Sequence, residues 1–492
     1  MTEKLADSRY FRKFSDVLVP FLSWIIITLP LWLSFFHPAV ASYFILAFDL
    51  YFLYKSVTTT YLAVLSYKKV VKNSTVNYAQ TLTKISGSSA LKHFIIIPNY
   101  KEPLHKLEAT IKALTQQDIP FKNTYLVLAF EKRETEAKEK ERLLKSKYRA
   151  HFQDILVAYH QLQENEVPGK ASNQTFAARL VEQYTIKHGF DNKNILVTIC
   201  DADSLLPANY LSYLSCSYLA DQDRSYHFYC APVLFYNNFH QLPFFVRIQA
   251  TLSSIVRLAF LSQKEHLIQV STYSTNLWLL REINYWDVDI IPEDWHIFFQ
   301  AFFTFGEKVR AVPLFTIING DAVYSGGLLK TLANRYEQEK RWAWGASDIG
   351  YALKKFFTTP HIKPWVKFKK VFFLMETHLL WPTSFFLLTI SASIPPLVNP
   401  LFKRTVLGFL LPRLSALILT FASLLLIFYV YFDIKLRQKL KVEVQLRSIP
   451  VLIFQWYFLP IVSFLFSSLP ALEAHTRLLL GKKIKYKVTE KV

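Results

Sequence analysis

The sequence predicts an α/β domain with a mostly parallel sheet, inserted between transmembrane α-helices. Three observations carry that prediction. Long apolar stretches stand near both ends of the chain, at 17–37 and 39–63 and again at 371–393, 406–432 and 450–470. Nothing long and apolar enough to span falls between about 67 and 365. Inside that interval, short apolar runs alternate with polar, helix-like stretches, the pattern of a sheet built from β-α-β units.

The first stretch, "VLVPFLSWIIITLPLWLSFFH" (17–37), is long enough to cross a bilayer core, and no small-residue cleavage site follows it. The second begins directly after Pro38, so the two form a hairpin, with Asp49 and Lys55 towards its far end. Lys4, Arg9, Arg12 and Lys13 place the N-terminus inside, and the hairpin returns the chain to the cytoplasm. The expected organisation is an N-terminal hairpin over 1–66, a cytoplasmic domain over 67–365, and about three further spans with a basic tail over 366–492. The basic loop 434–449 belongs in the cytoplasm. A crossing at 450–470 would then put the Lys-rich tail 481–487 outside, so either that stretch re-enters around Pro460 or an earlier span is miscounted.

Of 492 residues, 52% are hydrophobic and 19% charged, too apolar for an ordinary soluble enzyme and too charged for a pure membrane bundle. The net charge of +20 favours an anionic partner. Basic residues concentrate near the hydrophobic segments and no nucleic-acid module appears, which points to a membrane surface and away from nucleic acid. Cys200, Cys216 and Cys230 have neither metal-ligand spacing nor an even count, which fits a reducing cytoplasm. The expectation is a multi-pass protein of the plasma (inner) membrane.

Within the central interval, "HFIIIPNYKEP" (93–103) reads as a buried strand ending in a turn that carries Glu102. A helix candidate follows at 104–117, then a strand "NTYLVLAF" (123–130), Glu131, and a charged helix candidate over 131–149. "EVPGKASNQ" (166–174) is a Gly-Lys turn before a helix, where Lys170 and the helix N-terminus can meet phosphate; it is not a Walker motif. The strand in "NKNILVTICDADS" (192–204) ends in Asp201 and Asp203. Carboxylates at i, i+2 project to one side of an extended chain and repel unless a cation joins them. Oxygen ligands with open coordination positions suit Mg²⁺ or Mn²⁺ bridging a diphosphate. The same pattern also fits a turn with Asp as a helix N-cap.

"DIIPEDWHIFF" (289–299) places Glu293 and Asp294 at a helix start, where acidic residues suit the dipole or one carboxylate serves as a general base. In "YEQEKRWAWG" (336–345), Gln338, Arg341 and Trp342 share a helix face, and Glu337 and Arg341 have the spacing of a surface ion pair. Arg341 could instead hold a diphosphate, with Trp342 stacked on a sugar.

Taken in order, these motifs (Glu102, Lys170, D-x-D, E-D, then Q-x-x-R-W before membrane helices) resemble the membrane-bound family-2 glycosyltransferases, the cellulose, chitin and hyaluronan synthase-like enzymes, over roughly residues 90–350. The resemblance implies a GT-A fold, a Rossmann-like nucleotide-sugar domain. It implies inverting, metal-dependent hexosyl transfer from a nucleotide-sugar (UDP- or GDP-sugar) to a lipid-linked or polysaccharide acceptor at the cytoplasmic membrane face. It assigns Glu102, Glu131, Lys170, Asp201 and Asp203 to the donor, and Asp201 and Asp203 to Mg²⁺ or Mn²⁺. Asp294 becomes the base, and Glu293, Gln338, Arg341 and Trp342 line the acceptor and diphosphate end. The sequence departs from the family where Glu131 replaces an Asp and Pro292 a Thr, and "STYSTNLWLLREINYWDVD" (271–289) lacks the usual Gly-rich wording. Asn276 and Trp286 in that segment are either acceptor contacts or buried structural residues. Glu376, His378 and Arg413 lie in or near spans, where ionisable groups are functional candidates, although Arg413 fits snorkelling. Two other classes fit less well. A transporter with a nucleotide-binding domain would need pore-lining polar residues and repeats, and an inactive nucleotide-sugar scaffold need not keep Asp201, Asp203, Asp294 and Arg341.

Overall fold

The computed structural model describes residues 8–442 and 449–484. Lys4, part of the 434–449 loop and part of the 481–487 tail lie outside the described residues. Helix α1 (Arg9–Phe36) starts at Ser8, whose Oγ accepts the Phe11 N–H at 3.2 Å. Helix α2 (Pro38–Asn73) starts one residue after α1 ends. Proline at its first position has no N–H to leave unpaired, so the chain can turn back at once. At 1.5 Å per residue α2 is about 54 Å long, against a hydrocarbon core of about 30 Å. Its C-terminal part extends past the expected boundary at 66 and buries Ala63 and Val70 against the central domain.

The central domain follows the order β1 (Lys92–Asn99), α3 (Leu104–Thr115), β2 (Thr124–Glu131), α4 (Ala137–Tyr148), β3 (Asp154–His160), α5 (Lys170–Lys187) and β4 (Ile195–Ile199). It continues through α6 (Tyr210–Ala220), β5 (Phe228–Cys230), β6 (Val233–Leu234), α7 (Phe244–Phe260), β7 (Tyr273–Asn276), α8 (Leu277–Glu282), α9 (Glu293–Phe305), β8 (Ala311–Pro313), β9 (Ile318–Asn319) and α10 (Leu328–Ala343). Seven strands form one sheet in the order β3-β2-β1-β4-β7-β5-β8, and β6 pairs β9 separately. The first four are parallel, as expected, while β7 runs antiparallel to both neighbours. In β1 the side chains alternate between two buried faces, Phe94 and Ile96 to one core and Ile95 and Ile97 to the other. A strand covered on both faces therefore reads as one continuous apolar run. Helix α4 starts later than 131 because Glu131 still pairs in register with His160 as the last residue of β2. Strand order reverses at β1, with β2 on one side and β4 on the other, which opens a crevice at their C-terminal ends.

After α11 (Asp348–Thr358) come α12 (Pro364–Thr389), α13 (Val406–Leu424) and α14 (Leu426–Lys439). Among the described residues, five stretches are long and apolar enough to cross a membrane: Lys13–Phe36, Pro38–Asn73, Pro364–Thr389, Val406–Lys439 and Leu452–Leu479. The last is broken by a 3-10 turn at Gln455–Phe458 and a π turn at Phe464–Ser468. Both of its ends touch the central domain. Phe458 packs on Phe244 of α7 (5.4 Å between ring centres), and Glu473 accepts hydrogen bonds from Tyr336 and Lys340 of α10 at 2.8 and 3.1 Å.

Candidate active site

The crevice is a cavity of about 400 Å³, within the range of small-molecule sites. All ten site residues named from the sequence line it: Glu102, Glu131, Lys170, Asp201, Asp203, Glu293, Asp294, Gln338, Arg341 and Trp342. It runs from Pro98 and Tyr100 at the sheet edge to Thr377, His378 and Trp381 of α12, a helix long and apolar enough to cross a membrane.

At the sheet end, the turn after β1 puts Lys101 in the left-handed region (φ 62°). Buried Glu134 holds the turn by accepting the Lys101 N–H at 3.0 Å and an Asn99 N–H at 3.1 Å. Lys140 binds Glu134 at 2.6 Å and the Glu102 carbonyl at 2.7 Å, so the backbone beside the cavity is fixed from below. Glu131 ends β2 almost fully buried, 3.5 Å from His160 and 3.4 Å from Arg133. Its Oε2, the oxygen that faces Arg133, is buried without a hydrogen bond. Burial alone would lower the His160 pKa, but the Glu131 and Glu166 carboxylates beside it raise it. Arg133 lies over the Tyr100 ring at 4.2 Å.

In the middle, three chain segments bring three carboxyls and one lysine together. Lys170, the first residue of α5, reaches Asp201 at 2.8 Å, Glu293 at 3.6 Å and Asp294 at 3.8 Å. Burial alone would drive this ammonium towards the neutral form; Asp201, Asp294 and Glu293 outweigh it and hold its pKa well above the usual value. Glu293 is pushed the other way for a carboxyl, upward, by burial first and then by the Asp294 charge.

Ser271 ties these parts together. It sits just before β7 with φ 65°, a conformation that strains a residue bearing a Cβ. Its N–H donates to Asp294 Oδ2 at 2.7 Å, its hydroxyl donates to Asp201 Oδ2, and its carbonyl accepts from Lys170 at 2.9 Å. Asp294 Oδ1, by contrast, is buried and accepts no hydrogen bond.

At the membrane end, Gln338, Arg341 and Trp342 face the cavity from α10. Glu337 is held by Lys340 at 2.7 Å, and Arg335 binds Glu339 at 2.5 Å and also Gln338. Two guanidinium groups stand over the Trp342 ring, Arg335 at 4.9 Å and Arg257 at 5.5 Å from its centre. Asn276 and Trp286 take no part. Asn276 caps α8 and donates to the Lys193 and Ile195 carbonyls, and Trp286 donates to the buried Tyr273 hydroxyl at 2.8 Å. Glu376 pairs with Lys55 at 2.6 Å, bracing α12 against α2, and Arg413 lies over Phe409 at 4.2 Å. His378 does line the cavity, packed so closely on Gly345 that a Cβ there would lie 3.0 Å from the ring.

Sequence reasoning missed Ser271, Glu134 and Arg257. Arg257 lies within an amphipathic helix where it looks like any surface cation, and Ser271 stands in a segment without motif character.

The carboxylates suit a hard cation, since Asp203 and Asp201 present oxygens in a cavity lined by six carboxylate side chains and four of Lys or Arg. Among the described residues no three His, Cys, Asp or Glu side chains close on one point. Such a cation would therefore complete its shell from a ligand, as a diphosphate-bound Mg²⁺ does.

The family model "Glycosyl transferase family group 2" matches residues 196–434. No curated protein matches the chain. Among solved structures it is similar to the mannosyltransferase PcManGT from Pyrobaculum calidifontis in complex with GDP-Man and Mn²⁺, at 16% identity and TM-score 0.41, covering 77% of this chain and 98% of that one. It is also similar to S. aureus TarS 1-349 in complex with UDP-GlcNAc, at 12% identity and TM-score 0.36, covering 81% and 94%. The family match lies on β4 and on the D-x-D, E-D and Q-x-x-R-W segments, so over residues 196–434, just under half of its length, the chain is similar to the family-2 glycosyltransferases.

Proposed function

We propose that the protein transfers a hexose, with inversion, from a nucleotide-sugar to an acceptor that reaches the site along the membrane helices. The observation that carries this reading is Asp294. One carboxylate oxygen is clamped by the Ser271 N–H, and the other is buried without a hydrogen bond, 3.8 Å from the Lys170 ammonium, inside the cavity that holds the D-x-D pair. A fixed carboxylate with one open oxygen is what a general base requires.

In this reading the acceptor hydroxyl oxygen attacks the anomeric carbon as its proton passes to Asp294 Oδ1. The bond from that carbon to the diphosphate breaks, and the electron pair leaves with the diphosphate. One displacement inverts the configuration. Glu131, Glu102, Tyr100 and Arg133 line the end that takes the nucleoside, where Glu131 Oε2, 3.4 Å from Arg133 and without a hydrogen bond, can accept a base N–H. Asp203 and Asp201 would hold Mg²⁺ or Mn²⁺, whose chemistry there is to neutralise charge on the diphosphate. Arg341 adds a planar cation for the same group, and Trp342 offers a flat face to the acceptor. Because the cavity ends on Thr377, His378 and Trp381 of α12, a lipid-linked or growing glycan acceptor can enter from the bilayer. With the N-terminus inside, the site faces the cytoplasm.

The test is nucleoside diphosphate release by membranes containing the protein, supplied with a panel of UDP- and GDP-sugars and Mg²⁺ or Mn²⁺. The expected result is metal-dependent release from one donor and its loss in Asp294→Asn. No release from any donor, or equal release by the variant, would overturn the assignment and favour an inactive nucleotide-sugar-binding scaffold.

A further inference from the structure

Helix α7 joins the central domain to the membrane helices, packing on α2, α14 and the last apolar segment. Its apolar face, including Val246, Ile255 and Leu258, is buried in the core those elements share. Arg257 points from the same helix into the cavity. A guanidinium stays charged at any physiological pH, so a charge in this position needs compensation. Burial pulls it down only to about 10, with Asp294 opposing.

The two arginines buried most deeply among the described residues are compensated by carboxylates: Arg335 by Glu339 at 2.5 Å and Arg437 by Asp433 at 2.6 Å. Arg257, part-buried, has no such carboxylate, and neither does Arg247 on the same helix; of the two only Arg257 lines the cavity. Among the described residues its side chain makes no hydrogen bond and no ion pair, and its Nη1 is buried without an acceptor. What holds it are two aromatic faces, Phe235 at 4.8 Å and Trp342 at 5.5 Å. Ring faces orient the guanidinium plane but leave its N–H groups without acceptors. The result is a rigidly held cation with open donors, at a cavity wall between the base Asp294 and the acceptor-side Trp342.

We infer that Arg257 is an anion-binding arm of this cavity, a second planar cation beside Arg341 that takes a phosphate oxygen of a bound substrate. The choice of phosphate rests on the glycosyl-transfer reading; the demand for an anion does not. Two sources share this chemistry, the diphosphate of the donor and a phosphate on a lipid-linked acceptor.

The experiment compares full-length wild type, Arg257→Met, which keeps the volume and removes the charge, and Arg257→Lys, which keeps the charge and removes the fork. Binding of inorganic pyrophosphate and of UDP and GDP with Mn²⁺ is measured by calorimetry, and the KM for a polyprenyl-phosphate acceptor by turnover. A charge-assisted hydrogen bond lost from the site should cost about tenfold or more, with Lys intermediate and all three proteins melting alike. Weakened pyrophosphate and nucleotide binding assigns Arg257 to the donor diphosphate. A raised acceptor KM with unchanged nucleotide binding assigns it to an acceptor phosphate. Unchanged binding and KM in a folded Met variant would overturn the inference. Absence of turnover by wild type with every donor would sink the glycosyl-transfer reading alone, since the pyrophosphate measurement does not depend on it. If Arg257→Met does not fold, the Lys variant carries the same comparison, and binding equal to wild type there overturns the fork's role.

Discussion

Two cations share one cavity and live in opposite surroundings. Lys170 is enclosed by Asp201, Glu293, Asp294 and the Ser271 carbonyl. Arg257, across the site, has aromatic faces and no carboxylate partner among the described residues. The first is a built-in counter-ion. Without it the carboxyls that surround it would face one another with no cation between them. The second is held in place by contacts that do not use up its donors. A cation with its partners present organises a site, and one without them awaits a ligand. The two ends therefore break differently.

The largest effect belongs to the acid end. Asp294→Asn keeps the size and the Ser271 contact and removes only the ability to take a proton. A lost general base typically costs 10²- to 10⁴-fold in rate, and kcat should fall by about that factor while nucleotide binding stays near wild type. A variant that loses nucleotide binding as well would place Asp294 in donor recognition. Next is Lys170→Met. Removing one partner of a buried ionic cluster costs about 3–5 kcal/mol, seen as a lower unfolding midpoint in detergent. Added Mg²⁺ or Mn²⁺ should restore part of it, more than it adds to wild type, because a divalent ion can replace the missing charge. Equal stabilisation of both proteins would show that the acids do not recruit a cation.

These contrasts also show what could be read in advance. The four parallel strands β1–β4 include three that were legible because burial on both faces leaves an unbroken apolar run, as in "HFIIIP" and "ILVTIC". Seven of the ten cavity residues sit by a strand end or a helix start, where short acidic and Gly-Lys motifs stand out, and Gln338, Arg341 and Trp342 share one face near the end of α10. Strand β7, "YSTN", is fully buried yet polar; Ser274 is satisfied by Thr198 across the sheet at 2.7 Å, a pairing no linear pattern reveals. Arg257 and Ser271 escaped for the same reason. Their significance lies in what surrounds them in three dimensions. Asn276 and Trp286, which the sequence leaves as either acceptor contacts or buried structural residues, take the structural role, their polar atoms bonded to backbone carbonyls and a buried hydroxyl.

A smaller effect tests how α9 is held beneath Asp294. His296, one turn or less along the same helix, lies between Asp287 at 2.8 Å and Asp348 at 3.0 Å, with the Tyr351 ring 4.4 Å away. Burial works against its charge and pushes Asp348 upward too, but the two flanking carboxylates prevail and raise His296 to about 9. A raised histidine favours the folded state fully below its unfolded pKa near 6.5, and that contribution is lost as pH rises through about 9. The size is on the order of 3 kcal/mol. The unfolding midpoint should therefore fall between pH 7 and 10 in wild type and change less in His296→Gln. Parallel curves would show that the histidine is neutral in the fold.

Ser271 offers the smallest and most local test, because it separates backbone strain from side-chain bonding within the acid end. Its left-handed backbone costs roughly 1–2 kcal/mol for a residue with a Cβ and little for glycine, while its hydroxyl binds Asp201. Ser271→Ala keeps the strain and loses the bond; Ser271→Gly loses both. The N–H to Asp294 survives in each, so kcat should change far less than in Asp294→Asn. The glycine variant should unfold about 1 kcal/mol later than the alanine variant. Equal midpoints would mean that the turn relaxes when the hydroxyl is gone, so that Asp201, and through it Lys170, is what forces the backbone into that conformation.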